Sequence, residues 1–298
     1  MKPFSGVFTP IITSFNGDGS IDEAGMRSNV TRWMTMPLTG LVVLGSNGEA
    51  PQIDDAEADH VIDIVRSVVP SSRPLIAGTG RESTTATIGA TRRAATAGVD
   101  AVLVRTPSFF KSQMTTEIFV RHFTEVADAS PVPVLLYNVT MFTAVTLPVD
   151  AVATLALHPN IVGMKESGGD IGLIAEYIAR TPDDFTMLAG SALTLFHALC
   201  ADCDGAILAL AALLPRDIVS MEALLDQGRL DDARMLQRRL MPLARSVGAV
   251  HGVPGLKAAL ELMGFAAGPP RPPLRPVSAQ TIELLRVQLD ALGVLEKV

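Results

Sequence analysis

One of the five lysines of this chain lies where an amine could act as a nucleophile. Lys165 directly follows the apolar run 161–164, which predicts a buried β-strand. An amine at the end of such a strand is partly desolvated, and desolvation favours the neutral form that attacks a carbonyl carbon. A lysine that merely ends a strand and extends its ammonium group into water is the alternative, and position alone does not separate the two.

Tyr137 occupies the same kind of position, after the apolar run 134–136, in a chain with only two tyrosines. A phenol at a strand end can transfer protons while a carbon–carbon bond breaks. The alternative is an aromatic side chain at the rim of the core, with its hydroxyl group in water.

A glycine-rich turn, Gly45-Ser46-Asn47-Gly48-Glu49, follows a third apolar run at 41–44. Its glycines allow a tight turn whose backbone N–H groups point inward and form a nest for a carboxylate. A plain connection between strand and helix is the alternative. Because the amine, the phenol and the turn all lie at predicted strand ends, a fold that gathers those ends would bring them together.

Short apolar runs alternate with amphipathic segments along the first 228 residues. This alternation predicts parallel strands joined by right-handed helical crossovers. Eight predicted strands fit a closed (β/α)8 TIM barrel, an α/β fold whose active site lies at the carboxyl ends of the strands. A doubly wound sheet is the competing topology, but Gly78-Thr79-Gly80 lacks the third glycine of a dinucleotide-binding loop. The predicted strands are Gly6–Phe8, Leu41–Leu44, Leu75–Ala77, Ala101–Val104, Val134–Tyr137, Ile161–Lys165, Thr186–Ala189 and Ala206–Leu208.

The pattern changes after Gly228. Three further segments are helical in periodicity with no strand between them, and a proline-rich linker at 268–276 interrupts them. The sequence therefore predicts a barrel domain at 1–228 and a helical appendix at 229–298.

Composition excludes several classes of function. A net charge of −7 argues against a nucleic-acid binder, which normally carries a basic face. The longest apolar run, 206–214, is far shorter than the roughly 20 residues of a membrane-spanning helix, and the first residues lack signal-peptide features. The five histidines are scattered, so we expect neither a metal site nor a metal cofactor. The chain is expected to be cytoplasmic.

At the strand ends just described, the sequence resembles the dihydrodipicolinate synthase and N-acetylneuraminate lyase family of class I aldolases. The matching stretches are 45–49, 137–139 and 163–167, within a similarity that runs from Gly6 to about Pro273. The chain is most similar to the 4-hydroxy-2-oxoglutarate aldolase branch. The stretches that carry this closer resemblance are 45–49, 147–152, 158–165, 167–170, 188–191 and 252–257.

The resemblance implies that Lys165 forms a Schiff base with a 2-oxo acid such as pyruvate and that Tyr137 transfers protons. It also implies that Ser46 and Asn47 bind the 2-oxo acid carboxylate through backbone N–H groups, with the Ser46 hydroxyl group orienting Tyr137.

Further expectations follow from the same resemblance. Ile207 would offer a backbone contact near the bound pyruvyl group, and Ser167 would flank the lysine. The implied fold is the same barrel with a helical appendix, assembled as a homodimer or homotetramer. No organic cofactor is implied.

Two aromatic residues depart from the family pattern. Many members use a second tyrosine, contributed by a neighbouring subunit, and Phe109 stands at that position here. The synthases also carry an arginine that binds the carboxylate of the second substrate, where this chain has Phe142. Phe109 and Phe142 would therefore line the acceptor side of the substrate site, and both weigh against dihydrodipicolinate synthesis.

The expected reaction is the reversible aldol cleavage of a 4-hydroxy-2-oxo acid to pyruvate and an aldehyde, which is glyoxylate if the branch is correct. Alternatives on the same imine are 4-hydroxy-tetrahydrodipicolinate synthase and a sugar-acid aldolase or dehydratase. A pyruvate-binding regulator without turnover is the alternative of another class.

Overall fold

The computed structural model describes residues 2–295. Within them, eight β-strands pair in sequence order and close into a barrel, so the predicted (β/α)8 TIM barrel is confirmed. Neighbouring strands are parallel wherever their register is defined. The strands are β1 (Gly6–Pro10), β2 (Gly40–Val43), β3 (Leu75–Gly78), β4 (Ala101–Arg105), β5 (Val134–Asn138), β6 (Ile161–Glu166), β7 (Thr186–Ala189) and β8 (Gly205–Ile207).

The helices follow the strands as the hydrophobic periodicity predicts. They are α1 (Glu23–Met34), α2 (Asp55–Arg66), α3 (Thr84–Thr96), α4 (Thr116–Ala129), α5 (Thr140–Thr143), α6 (Val149–Leu155), α7 (Ile171–Arg180), α8 (Leu195–Cys200), α9 (Pro215–Asp226), α10 (Leu230–Ala244), α11 (Gly252–Leu262) and α12 (Ala279–Ala291). No described helix combines the length and the apolar character needed to cross a membrane.

Within the described residues the chain divides into two compact units, 2–6 with 74–207 and 7–73 with 208–295. The predicted boundary between a barrel at 1–228 and an appendix at 229–298 stays a prediction. Residues 296–298, which include Lys297, lie outside the described residues.

In the first unit, close packing fixes how β5, β6 and β7 lie against each other. Gly163 of β6 has room for a hydrogen atom only, because a Cβ there would lie 2.5 Å from the carbonyl oxygen of Thr186 and 2.9 Å from Cδ2 of Leu135. The register between β5 and β6 shifts once, between Val134 and Leu135, and then runs regularly to the strand ends. The last residues of β6 are therefore held at a defined height beside β5.

In the second unit, a buried ion pair holds the turn that contains Ser46 and Asn47. The Glu49 carboxylate lies 2.6 Å from Nζ of Lys257, and both side chains are almost completely buried. The backbone N–H of Arg271 donates to the same carboxylate at 2.7 Å. Burial lowers the pKa of Lys257, whereas the ion pair with Glu49 opposes that shift. Lys257 thus has a structural role, since its charge is compensated inside the unit.

We expect Lys257→Met to destabilise the protein by about 3–5 kcal/mol, because it leaves the Glu49 carboxylate buried without its cation. Urea unfolding measures the change. Arg180→Gln is the matched control: it breaks the exposed Arg180–Asp150 pair, which is 2.9 Å apart, and should cost less than about 1 kcal/mol. Equal losses in the two variants would show that the Lys257–Glu49 pair does not hold the turn.

Candidate active site

Lys165 and Tyr137 lie beside each other at the ends of adjacent strands. The register of β5 and β6 pairs the two residues, so their side chains leave the sheet on the same face. Nζ of Lys165 lies 4.3 Å from the centre of the Tyr137 ring, and each residue is 5% exposed. A buried amine against the ring of a phenol is the pair of groups that imine chemistry with proton transfer requires.

The residues that directly follow Tyr137 and Lys165 form a second contact between the two strand ends. Asn138 and Glu166 are the next register pair, and the Asn138 side-chain amide donates to the Glu166 carboxylate at 3.2 Å. The backbone N–H groups of Gly168 and Gly169 donate to the same carboxylate at 2.6 Å and 2.9 Å. Burial raises the pKa of Glu166, and these donors act against that shift. Glu166 therefore fixes the turn that follows Lys165.

Asn138 joins three segments through its backbone and side-chain oxygens. Its carbonyl oxygen accepts from the backbone N–H of Ser167 at 2.9 Å, and its Oδ1 accepts from the backbone N–H of Leu147 at 3.1 Å. The Tyr177 hydroxyl group donates to the carbonyl oxygen of Leu147 at 2.5 Å. Sequence reasoning missed Asn138 and Glu166, although each directly follows a residue singled out at a strand end.

The Ser167 hydroxyl group is buried without a hydrogen-bond partner among the described residues. It packs against Gly190, where a Cβ would lie 1.9 Å from Ser167 Oγ. Buried hydroxyl groups almost always have a partner, so this one, two residues from Lys165, can bind a water molecule or a polar ligand. The substrate contact of Ser167 stays a prediction.

The phenylalanines assigned to the acceptor side are exposed in the single chain. Phe109 is 78% exposed, and its ring meets that of Phe110 edge-on at 5.1 Å. Phe142, in the short helix α5, is 62% exposed. Their contact with a substrate stays a prediction.

The remaining predicted contacts lie at two further strand ends. Ile207 is the last residue of β8 and is fully buried. Ser46 and Asn47 belong to the second unit, in a short 3-10 turn after β2. That turn is anchored by the Thr13 hydroxyl group, which donates to the carbonyl oxygen of Gly48 at 2.7 Å. The substrate contacts of Ser46, Asn47 and Ile207 stay predictions.

Residues 2–295 hold no cluster of three or more His, Cys, Asp or Glu side chains arranged to bind a metal ion.

Comparison with known proteins extends these observations. The chain matches the model of the dihydrodipicolinate synthetase family over residues 3–292. It is 36% identical over 292 residues to a 4-hydroxy-tetrahydrodipicolinate synthase of Methanopyrus kandleri, covering 97% of each chain. It is 37% identical to one of Methanothrix thermoacetophila, again over 97% of each chain.

Solved structures agree with the fold. Dihydrodipicolinate synthase of Thermotoga maritima superposes with a TM-score of 0.93 at 31% identity, over 98% of this chain and 99% of that one. The synthase of Acinetobacter baumannii, solved in complex with pyruvate, superposes with a TM-score of 0.93 at 29% identity, over 98% of this chain and 100% of that one.

These relatives are named as synthases, so the predicted family is confirmed while the 4-hydroxy-2-oxoglutarate aldolase branch is not. The family model and the relatives each cover nearly the whole chain. The chain therefore belongs to the dihydrodipicolinate synthase family and is a carbon–carbon lyase of the class I, pyruvate-dependent aldolase type.

Proposed function

We propose that this enzyme cleaves a 4-hydroxy-2-oxo acid reversibly to pyruvate and an aldehyde through an imine on Lys165, with 4-hydroxy-2-oxoglutarate as substrate and glyoxylate as the aldehyde. One observation carries the proposal: the buried Lys165 amine lies 4.3 Å from the ring centre of the equally buried Tyr137 on the paired strand. We include in the proposal a homodimer or homotetramer in the cytoplasm, in which the exposed Phe109 ring offers apolar surface to a neighbouring subunit.

The steps follow from the chemistry of an amine and a phenol. The neutral Lys165 amine adds to C2 of the substrate. The Tyr137 hydroxyl group passes its proton to the departing C2 oxygen, a step at which water can replace it, and loss of water leaves a protonated imine and the Tyr137 phenolate. Tyr137, acting as base, accepts the proton of the C4 hydroxyl group. The C3–C4 electron pair then moves to the imine, which releases the aldehyde and leaves an enamine. Protonation of the enamine at C3 and addition of water return pyruvate and the free amine.

Anchoring of the 2-oxo acid carboxylate is assigned to the backbone N–H groups of Ser46 and Asn47, in line with the family resemblance. The unsatisfied Ser167 hydroxyl group supports a polar ligand next to Lys165. Ile207 supplies the backbone contact to the pyruvyl group.

A second candidate is 4-hydroxy-tetrahydrodipicolinate synthesis, in which the same enamine adds to aspartate semialdehyde. The names of the relatives favour this reaction. Against it, α5 has the sequence Thr-Met-Phe-Thr and presents no cation to a second carboxylate.

Borohydride should trap pyruvate on Lys165 alone, because reduction converts the imine to a stable secondary amine. Lys257 is excluded by its buried ion pair with Glu49. Peptide mass spectrometry after treatment with and without pyruvate locates the adduct, and Lys165→Ala should abolish it. An adduct on Lys111 or Lys257, or none at all, would disprove the mechanism.

Tyr137→Phe should still form the trapped adduct but lower kcat for cleavage by about 10²–10⁴-fold, because the ring remains while the proton acceptor is lost. Tyr177→Phe is the matched control, since Tyr177 is the other tyrosine and its hydroxyl group bonds to the Leu147 carbonyl oxygen. That control should lose stability, by about 1 kcal/mol, with kcat nearly unchanged. If Tyr137→Phe cleaves the substrate at the wild-type rate, Tyr137 has a packing role only.

Cleavage of 4-hydroxy-2-oxoglutarate should proceed with a higher kcat/KM than condensation of pyruvate with aspartate semialdehyde. A charge-assisted hydrogen bond contributes about 1.5–3 kcal/mol, so Phe142 in place of an arginine should weaken binding of the distant semialdehyde carboxylate by roughly 10–100-fold. Initial rates of both reactions on one preparation decide between them. Faster formation of 4-hydroxy-tetrahydrodipicolinate would assign the enzyme to the synthases.

A further inference from the structure

Arg105 stands at the height of the two reactive residues. It is the last residue of β4, and the strand register pairs it with Tyr137, which in turn pairs with Lys165. Residues paired in this way present their side chains on the same face of a parallel sheet. Since adjacent strands lie about 4.8 Å apart, the Cα atoms of Arg105 and Lys165 are separated by about 10 Å, with Tyr137 between them.

The guanidinium group of Arg105 is held from one side. Nη1 donates to the Glu82 carboxylate at 2.8 Å and to the carbonyl oxygen of Thr106 at 3.1 Å. Glu82 also accepts from the backbone N–H groups of Ser108 and Phe109, at 2.8 Å and 2.9 Å. Burial acts to raise the pKa of Glu82, but these hydrogen bonds outweigh it and the pKa is lowered, so Glu82 remains ionised at neutral pH.

The other edge of the guanidinium group is available to a ligand. Within residues 2–295, neither Nε nor Nη2 of Arg105 makes a hydrogen bond, and 28% of the side chain is exposed. Gly80 leaves the space that this side chain occupies, because a Cβ there would lie 2.7 Å from Cγ of Arg105. The arginine is therefore fixed in place while two donors in fork geometry remain open.

An open guanidinium fork binds a planar carboxylate through two parallel hydrogen bonds. In 4-hydroxy-2-oxoglutarate the second carboxylate is bonded directly to C4, the carbon that leaves as the aldehyde carbon. Three carbon–carbon bonds separate that carboxylate from C2, the carbon held by Lys165. In aspartate semialdehyde two further carbons separate the carboxylate from the aldehyde carbon, so this carboxylate lies further from the imine.

We propose that Arg105 is a specificity-determining residue that binds the carboxylate adjacent to the scissile bond, through its Nε–Nη2 edge. This inference rests on the proposed function. Arg105 selects aldehydes in which a carboxylate is attached directly to the reacting carbon, such as glyoxylate, and Glu82 is a positioning residue that holds the guanidinium group. The simpler alternative is that Arg105 only clamps the 106–109 loop through Glu82.

The test compares two substrates that differ at the proposed contact alone. 4-Hydroxy-2-oxoglutarate carries a carboxylate on C4, whereas 4-hydroxy-2-oxopentanoate carries a methyl group there. Arg105→Gln should lower kcat/KM for the first by about 10–100-fold, the effect expected from losing charge-assisted hydrogen bonds, and leave the second within a few-fold. Arg105→Lys, which keeps the charge without the fork, should show a smaller loss of the same selectivity and serves if the glutamine variant does not fold.

Arg121→Gln is the matched control, since Arg121 forms an exposed pair with Glu125 at 2.7 Å in the same unit and should change neither rate. Equal losses on both substrates, or none, in the Arg105 variants would overturn the specificity role. Borohydride trapping of pyruvate on Lys165 is measured in every variant. Failure of trapping in the wild-type enzyme would overturn the proposed function itself, whereas retained trapping with unchanged selectivity would overturn the role of Arg105 alone.

Discussion

The hydrogen-bond register between β5 and β6 is the constraint on which the proposed chemistry depends. Side chains alternate between the two faces of a strand, so a slip of one residue would turn either Tyr137 or Lys165 away from the other. Two features oppose such a slip. Gly163 allows β6 to approach the Thr186 carbonyl oxygen on β7, and the Asn138–Glu166 hydrogen bond joins the register pair directly after the reactive one. Packing at Gly163 and the hydrogen bond between Asn138 and Glu166 thus stabilise the same register.

Charge compensation separates the two buried lysines into different roles. Lys257 lies 2.6 Å from the Glu49 carboxylate, and the pair serves to hold a turn. Lys165 is followed in sequence by a carboxylate, yet Glu166 directs its oxygens to Asn138 and to the N–H groups of the turn instead. Within residues 2–295 Lys165 contacts the face of Tyr137 and forms no ion pair. No carboxylate among these residues therefore occupies the Lys165 amine, which leaves it open to the substrate carbonyl in the proposed reaction.

Sequence periodicity was sufficient to predict the barrel and the strand ends that carry Tyr137 and Lys165, because alternation of strands and helices is a local property of the chain. The small numbers of lysines and tyrosines in the chain also helped to select these two residues, because either type is unusual at a predicted strand end. Asn138, Glu166 and the open edge of Arg105 could not be predicted in this way. Their roles depend on which residues meet across neighbouring strands, and the register that decides this comes from packing between distant segments such as Gly163 and Thr186. The exposure of Phe109 and Phe142 likewise depends on how the segments after β4 and β5 fold, which hydropathy does not encode.

In our proposal, the position of one cation relative to the imine selects the acceptor aldehyde. Hydrogen bonding within the sheet fixes the positions of the strand ends, whereas the connecting segments vary in length and conformation. In our proposal the carboxylate of the leaving aldehyde is bound by a strand-end arginine, one strand from Tyr137. Such a cation is held at a fixed distance from the scissile bond and so accepts only a short acceptor. A cation placed on the α5 segment would lie beyond the strand end and suit a longer acceptor, but Phe142 leaves that segment without charge. Imine chemistry at Lys165 would be common to both arrangements, with the strand or loop that carries the arginine selecting the aldehyde.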